Sequence, residues 1–218
     1  MQVEEELIKY SKLVYQKGFL AATDGNLSVR LPNGNILITG SSVCKGEIVE
    51  SDLVETDLDG NIVSGNKKPS TESKLHYHIY KNRSDVNSVI HTHPVAALVC
   101  ASSNISIDKP YFPEVILSIG RIPVCKYATP STDALHRSLD PYIEYATVFL
   151  LQNHGAVTTG RTIQEAFNRT DKLEHTSRVI LEATKSGGIK PLLRYQIDEL
   201  YAIAGKSYGI SLHPKNKY

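Results

Sequence analysis

No stretch of the 218-residue chain stays apolar for the roughly 18 to 20 residues that cross a bilayer. The longest apolar runs, 95–101 and 148–151, have the length of core elements. The first residues, Met1 to Glu6, are acidic where a secretory or transit segment would be basic and then apolar. Cysteine is scarce: Cys44, Cys100 and Cys125 are odd in number, scattered and free of any CxxC pair. That pattern excludes a disulfide framework and fits a reducing compartment. These absences predict a cytoplasmic protein that is not integral to a membrane. Excess charge is also lacking, since 24 Lys and Arg stand against 23 Asp and Glu for a formal net charge of +1. Without a basic stretch, electrostatic binding of nucleic acid is not expected. Internal repeats, low-complexity tracts and linkers are missing too, so residues 1–218 are expected to form a single domain.

What is present reads as alternating helices and strands. Val3, Leu7, Ile8, Val14 and Tyr15 recur among charges before Gly18, predicting an amphipathic helix over 3–17. Strands over 26–31 and 35–39 flank Pro32-Asn33-Gly34, and strands over 53–56 and 61–63 flank Asp57-Leu58-Asp59-Gly60, as hairpins do. Ser70 is placed to cap a helix over 71–81. Further strands are expected over 86–91, 122–127, 147–152 and 155–160, with helices over 95–102, 132–139, 162–185 and 196–206. Hairpin-length connections imply an α/β domain with a mixed, largely antiparallel sheet.

Chemistry concentrates at the predicted strand ends. In His91-Thr92-His93-Pro94 the two imidazoles lie two residues apart on a strand and so share a face. His154, in Gln152-Asn153-His154-Gly155, ends another apolar run. Three such histidines suit a catalytic zinc site with an open position, whereas a structural site would close with a fourth ligand, often cysteine. The same spacing also suits a hydrogen-bonded pair at a strand end, and His154 alone suits a satisfied core position. His76 and His78, two apart on a helix, project about 200° apart and should not share a metal. Lys68-Pro69-Ser70-Thr71-Glu72 offers hydroxyls and free N–H groups at a helix start, which bind anions or simply cap the helix. The turns Thr23-Asp24-Gly25-Asn26-Leu27-Ser28 and Thr39-Gly40-Ser41 add hydroxyl and amide donors.

Taken in order, Asp24 to Ser28, Lys68 to Glu72, His91 to Pro94, Ile122-Pro123 with Tyr127-Ala128-Thr129, Gln152 to Gly155, and Ser207-Tyr208-Gly209-Ile210 resemble the class II aldolase and epimerase family. That family includes L-fuculose-1-phosphate and L-rhamnulose-1-phosphate aldolases and L-ribulose-5-phosphate 4-epimerase, and the fuculose-1-phosphate branch is nearest. The resemblance spans nearly the whole chain and implies a three-layer sandwich with helices on both faces of the sheet. It makes His91, His93 and His154 the ligands of one Zn2+ per subunit, and Glu72 the acid/base. Asn26, Ser28, Thr39, Gly40, Ser70 and Thr71 become the phosphate pocket. Tyr208 and Tyr111 match the tyrosines that act near the departing aldehyde.

The implied reaction is reversible cleavage of a ketose 1-phosphate, led by L-fuculose 1-phosphate, to dihydroxyacetone phosphate and lactaldehyde. In it zinc holds the enediolate that C–C cleavage generates, in a homotetramer whose sites lie between subunits. Glutamate at 72, where the epimerase branch typically has aspartate, points to the aldolase branch. Epimerase, methylthioribulose-1-phosphate dehydratase and sugar-acid phosphate decarboxylase chemistry share the scaffold. A non-catalytic adducin-like module and a Schiff-base lysine aldolase complete the alternatives. Pro130-Ser131-Thr132 departs from the pattern, because relatives often carry glycine before the threonine.

Overall fold

The computed structural model describes residues 3–103, 105–207 and 211–218. Its centre is one eight-stranded sheet. In chain order the strands are β1 (Asn26–Arg30), β2 (Ile36–Thr39), β3 (Leu53–Thr56), β4 (Ile62–Ser64), β5 (Ser88–Thr92), β6 (Val124–Cys125), β7 (Val148–Leu151) and β8 (Gly155–Gly160). They lie side by side as β4-β3-β2-β1-β5-β8-β7-β6. Every pairing is antiparallel except β6 with β7. The expected mixed, largely antiparallel sheet is therefore what forms.

The helices are α1 (Val3–Gln16), α2 (Ser73–Asn82), α3 (Val95–Ser102), α4 (Pro113–Ser118), α5 (Asp133–Arg137), α6 (Ile163–Lys185) and α7 (Arg194–Ser207). Alternation along the strands explains why both faces of the sheet are covered. In β2, Ile36 and Ile38 join the cluster under α2 with Leu75 and Ile79, while Leu37 joins the opposite cluster with Leu7 and Val14 of α1. In β7, Phe149 and Leu151 face the α2 side, and Val148 and Leu150 meet α3 and α6 through Ala97 and Leu173. A strand apolar on both faces is stable only between two helical layers. Each fully buried side chain of this size contributes about 1.5–3 kcal/mol.

Several boundaries differ from the sequence reading. The strand expected over 122–127 shortens to Val124–Cys125, and the helix expected over 132–139 shortens to α5 before the chain turns through Ile143. The six-residue α4, with proline at its first turn, is too short to show periodicity in sequence. Ser70 is not the cap of α2. The helix begins at Ser73 with Glu72 in the cap position, because a bridge between Gly40 and Pro69 holds the preceding backbone extended against the sheet. Among the described residues, no helix is long and apolar enough to cross a membrane.

Candidate active site

β5 and β8 are central, adjacent and antiparallel, with His91 opposite Val157 and Thr92 opposite Ala156. That register carries His93, just past β5, to the turn that holds His154 in front of β8. The three rings stand 4.9, 4.9 and 5.5 Å apart by centroid. One nitrogen from each lies within 4.8 Å of the others. Gly155 makes the approach possible, since a Cβ there would lie 2.6 Å from the His93 ring and 2.9 Å from that of His91. Gly25 plays the same part on the other side, where a Cβ would meet Leu20 and the His91 carbonyl.

Tautomers follow from the partners. His91 is fully buried and its Nδ1–H donates to the Ala156 carbonyl at 3.0 Å, so its Nε2 lone pair points into the cluster. His93 Nε2 lies 3.2 Å from that nitrogen. Two nitrogens each about 2.0–2.1 Å from a tetrahedral ion stand about 3.4 Å apart, close to the spacing observed. Glu72 closes the group, with Oε2 3.0 Å from His91 Nε2 and Oε1 3.2 Å from His154 Nε2. Burial would raise the Glu72 carboxyl, but the adjacent rings of His154 and His91 overcome this and hold it well below the usual carboxylate range. Burial, with the charges of His91 and His154, pushes His93 down to about 3. Three imidazoles and one carboxylate thus converge. This is the donor set of a divalent transition ion.

Glu72 supplies no side-chain cap to α2, since its carboxylate is turned toward the histidines. The turn carrying His93 is fixed from behind by Glu174 of α6. That buried carboxylate accepts from the backbone N–H groups of Ala96 (3.2 Å) and Ala97 (3.1 Å) at the start of α3, and Arg178 neutralises it at 2.9 Å.

Beside the histidines opens a cleft of about 360 Å³ lined by Asn26, Gly40, Ser41, Ser42, Ser70 and Thr71, among others. Ser41 N–H donates to the Lys68 carbonyl at 2.9 Å, which ties the two hydroxyl-rich segments together. A buried polar chain then orients them. His76 is fully buried and pushed down to about 3 by burial, so it is neutral. Its Nε2 meets Asn26 Oδ1 at 2.5 Å and must donate, because that oxygen only accepts. Its Nδ1 therefore accepts from Ser28 Oγ at 2.6 Å, and Ser28 accepts from Tyr80 at 2.7 Å. Asn26 Nδ2 donates to Ser70 Oγ at 2.9 Å, and Glu72 N–H approaches the same oxygen at 3.3 Å. Ser70 is left with its own proton to offer the cleft.

The predicted phosphate residues consequently divide. Asn26, Gly40, Ser70 and Thr71 line the cleft. Ser28 and Thr39 are wholly buried behind it, Ser28 in the His76 chain and Thr39 accepting from Leu27 N–H at 3.3 Å. Tyr111 packs beside Phe112 against the α3–α4 core and is not among the lining residues of its own chain. Tyr208 lies outside the described residues. His78 turns away from His76 to Asp140 at 2.6 Å. The sequence reading missed His76, Glu174 and Lys45.

Ser131, at the departure from the family pattern, also lines the cleft and has φ +63°, the conformation a glycine would take. Ala22, Ser42 and Asn153 are likewise left-handed, at +48°, +58° and +54°. All four border the cleft or adjoin a residue that does.

A two-layered helical cover on this mixed sheet, with histidines gathered at its strand ends, defines a class II aldolase fold. The Class II Aldolase and Adducin N-terminal domain family matches residues 5–181, and the chain belongs to that family. It is 33% identical over 184 residues to the 3-oxo-tetronate 4-phosphate decarboxylase of Escherichia coli K12, covering 82% of this chain and 85% of that protein. It is 32% identical over 178 residues to the L-fuculose phosphate aldolase of Methanococcus maripaludis, covering 80% and 93%. The structure of YgbL from Klebsiella pneumoniae superposes with a TM-score of 0.85 at 30% identity, over 91% of this chain and 97% of that one. Homologues of this kind are lyases, and this chain is an enzyme of the same superfamily.

Proposed function

We propose that the protein is a zinc-dependent lyase that breaks the bond between the carbons α and β to the carbonyl of a phosphorylated β-hydroxyketone, with L-fuculose 1-phosphate as the lead substrate. One observation carries this: three histidines and Glu72 converge at the mouth of a cleft lined by hydroxyl and amide donors. His91, His93 and His154 would hold the ion, which when bound supplies Lewis-acid polarisation of the ketone. Asn26, Gly40, Ser70 and Thr71 receive the phosphoryl group, with Ser70 donating its free proton and Ser28 and Thr39 supporting from behind. They fix the substrate so that its carbonyl faces the histidines.

In the cleavage direction the hydroxyl proton of the leaving carbon is removed, that carbon departs as an aldehyde, and the bond's electron pair stays on the carbon beside the ketone. Glu72 returns a proton to that carbon and takes it away in the synthetic direction. Tyr111 and Tyr208 are assigned to the proton on the cleaved hydroxyl. Because Tyr111 stands away from its own chain's cleft, this assignment goes with a homotetramer in which a neighbouring subunit supplies it.

Decarboxylation is the second reading, favoured by the relatives at 33% identity. A 3-oxo acid phosphate loses CO2 from the same position and leaves the same electron pair for Glu72 to protonate. The test is metal-quantified protein incubated with L-fuculose 1-phosphate or 3-oxo-tetronate 4-phosphate, following dihydroxyacetone phosphate, aldehyde and CO2 with and without chelator. Chelator-sensitive aldehyde release is expected. CO2 without aldehyde selects the second reading, and silence on both substrates with a full complement of metal overturns both.

A further inference from the structure

Lys45 is among the most deeply buried residues of the chain, with 1% of its surface exposed. Buried lysines are ordinarily paired with a carboxylate, because an isolated charge in a dry interior is costly. Lys45 has none within ion-pair distance among the described residues. Its Nζ donates instead to two backbone carbonyls, Thr23 at 2.8 Å and Val43 at 2.9 Å. An ammonium has three protons, so one remains without a protein acceptor. The side chain lines the cleft, and among the described residues it is the one lysine or arginine that does so. Asp24, Cys44 and His93 are the titratable groups within its electrostatic reach.

We propose that the Lys45 ammonium is the direct counter-ion of the substrate's phosphoryl group, its third proton completing a cradle whose other donors are neutral hydroxyls, amides and backbone N–H groups. The proposal rests on the lyase reading above and adds its charge. A dianion transferred from water into a cleft of neutral donors alone would keep an uncompensated charge. A charge already fixed by two carbonyls needs no reorganisation to meet it. Thr23 and Val43 lie on the two turns that flank the cleft, so the same ammonium sets their separation.

The test is calorimetric titration of metal-stripped protein with sulfate, which stays a dianion across the working range. Wild type is expected to bind, and K45M to bind about 10- to 100-fold more weakly, as for loss of one charged hydrogen bond. K45Q keeps a donor for a carbonyl but not the charge and is expected to show the same loss. Both should take up a full complement of metal when it is restored, which shows the histidine end intact. Burial lowers Lys45 to about 8, so wild-type sulfate affinity should fall between pH 7 and 9 while that of K45M stays flat, a difference that a purely structural lysine would not produce. Unchanged sulfate affinity in K45M and K45Q overturns the lysine assignment alone. Absence of sulfate binding by wild type overturns it together with the phosphate reading of the cleft. Borohydride trapping of a ketose phosphate on Lys45 also overturns it.

Discussion

The two ends of β8 open onto two very different clefts. At Gly160 lies a cavity of about 880 Å³ bordered by Arg83, Arg161, Arg169 and Lys172. At Gly155 lies the cleft of about 360 Å³ beside the histidines. The larger one is rich in cations, and each has an acceptor within the protein, although the buried Nε of Arg169 has no partner among the described residues. Arg83 is paired with Asp85 at 2.7 Å and donates to the carbonyls of Ile143 and Ala146. Arg169 is paired with Glu165 at 2.8 Å, and Lys172 donates to Ser118 at 2.8 Å. In the smaller one, among the described residues, Lys45 has no carboxylate within ion-pair distance, Ser70 retains a proton, and His154 Nδ1 is buried without a partner. The arginines of the first cleft are held by carboxylates, whereas the lysine of the second is held by two backbone carbonyls.

The contrast is broken most severely at the metal. His93→Ala should lose bound zinc and, with it, activity at the smaller cleft. Metal analysis of the purified variant checks this, and undiminished zinc would remove His93 from the ligand set. Next in size, Glu72→Gln should retain metal and sulfate binding while turnover and exchange of the donor-carbon proton fall about 10²- to 10⁴-fold. Near-normal isotope exchange would show that the carboxylate only balances charge.

A smaller effect sharpens the role of the buried chain behind the cleft. His76 takes up its proton near 6.5 when unfolded but only near 3 in the fold. The unfolded state therefore binds more protons in that window, and stability should decline as pH falls from 6.5 toward 3. His76→Gln should cost about 1–3 kcal/mol at neutral pH and make that acid decline shallower, as read by denaturant unfolding at a series of pH values. An equally steep decline would place the acid sensitivity elsewhere. The least effect is expected at the far cleft. Arg161, with its side chain 79% exposed, holds Glu165 at 3.5 Å, and Arg161→Ala should leave kcat/KM unchanged and stability within about 0.5 kcal/mol. A marked loss of kcat/KM would join the two ends of β8 functionally.

Much of this was legible in the chain itself, and unevenly so. The helix over 95–102 and the strand over 155–160 have the bounds expected, because a proline precedes the apolar run of the first and a glycine stands at each end of the second. The histidines could be grouped because His91 and His93 share a strand face and His154 sits at another strand end. Other features depend on how elements meet. Ser70 has the sequence of a helix cap but gives its oxygen to Asn26, a residue 44 positions away. Ser28 and Thr39 belong to the right segments, yet Ser28 lies deeper along β1 on the same face as Asn26, and both side chains are wholly buried behind the cleft. Nothing local distinguishes Lys45 from the exposed Lys67 and Lys68, since its burial arises where two turns converge. Glu174 lies 78 residues from the helix start it caps.

The left-handed residues around the cleft carry a lesson for protein engineering. Ala22, Ser42, Ser131 and Asn153 each hold a backbone that side chains disfavour by about 1–3 kcal/mol. A search for sturdier versions of this enzyme, guided by stability alone, would converge on these positions and relax them with glycine. The turns so loosened are the ones that aim His154, the Ser41 segment and the wall opposite. Durability and turnover are thus set against each other in the same few residues, and heat-resistant variants that remain active should be sought on the far side of the sheet.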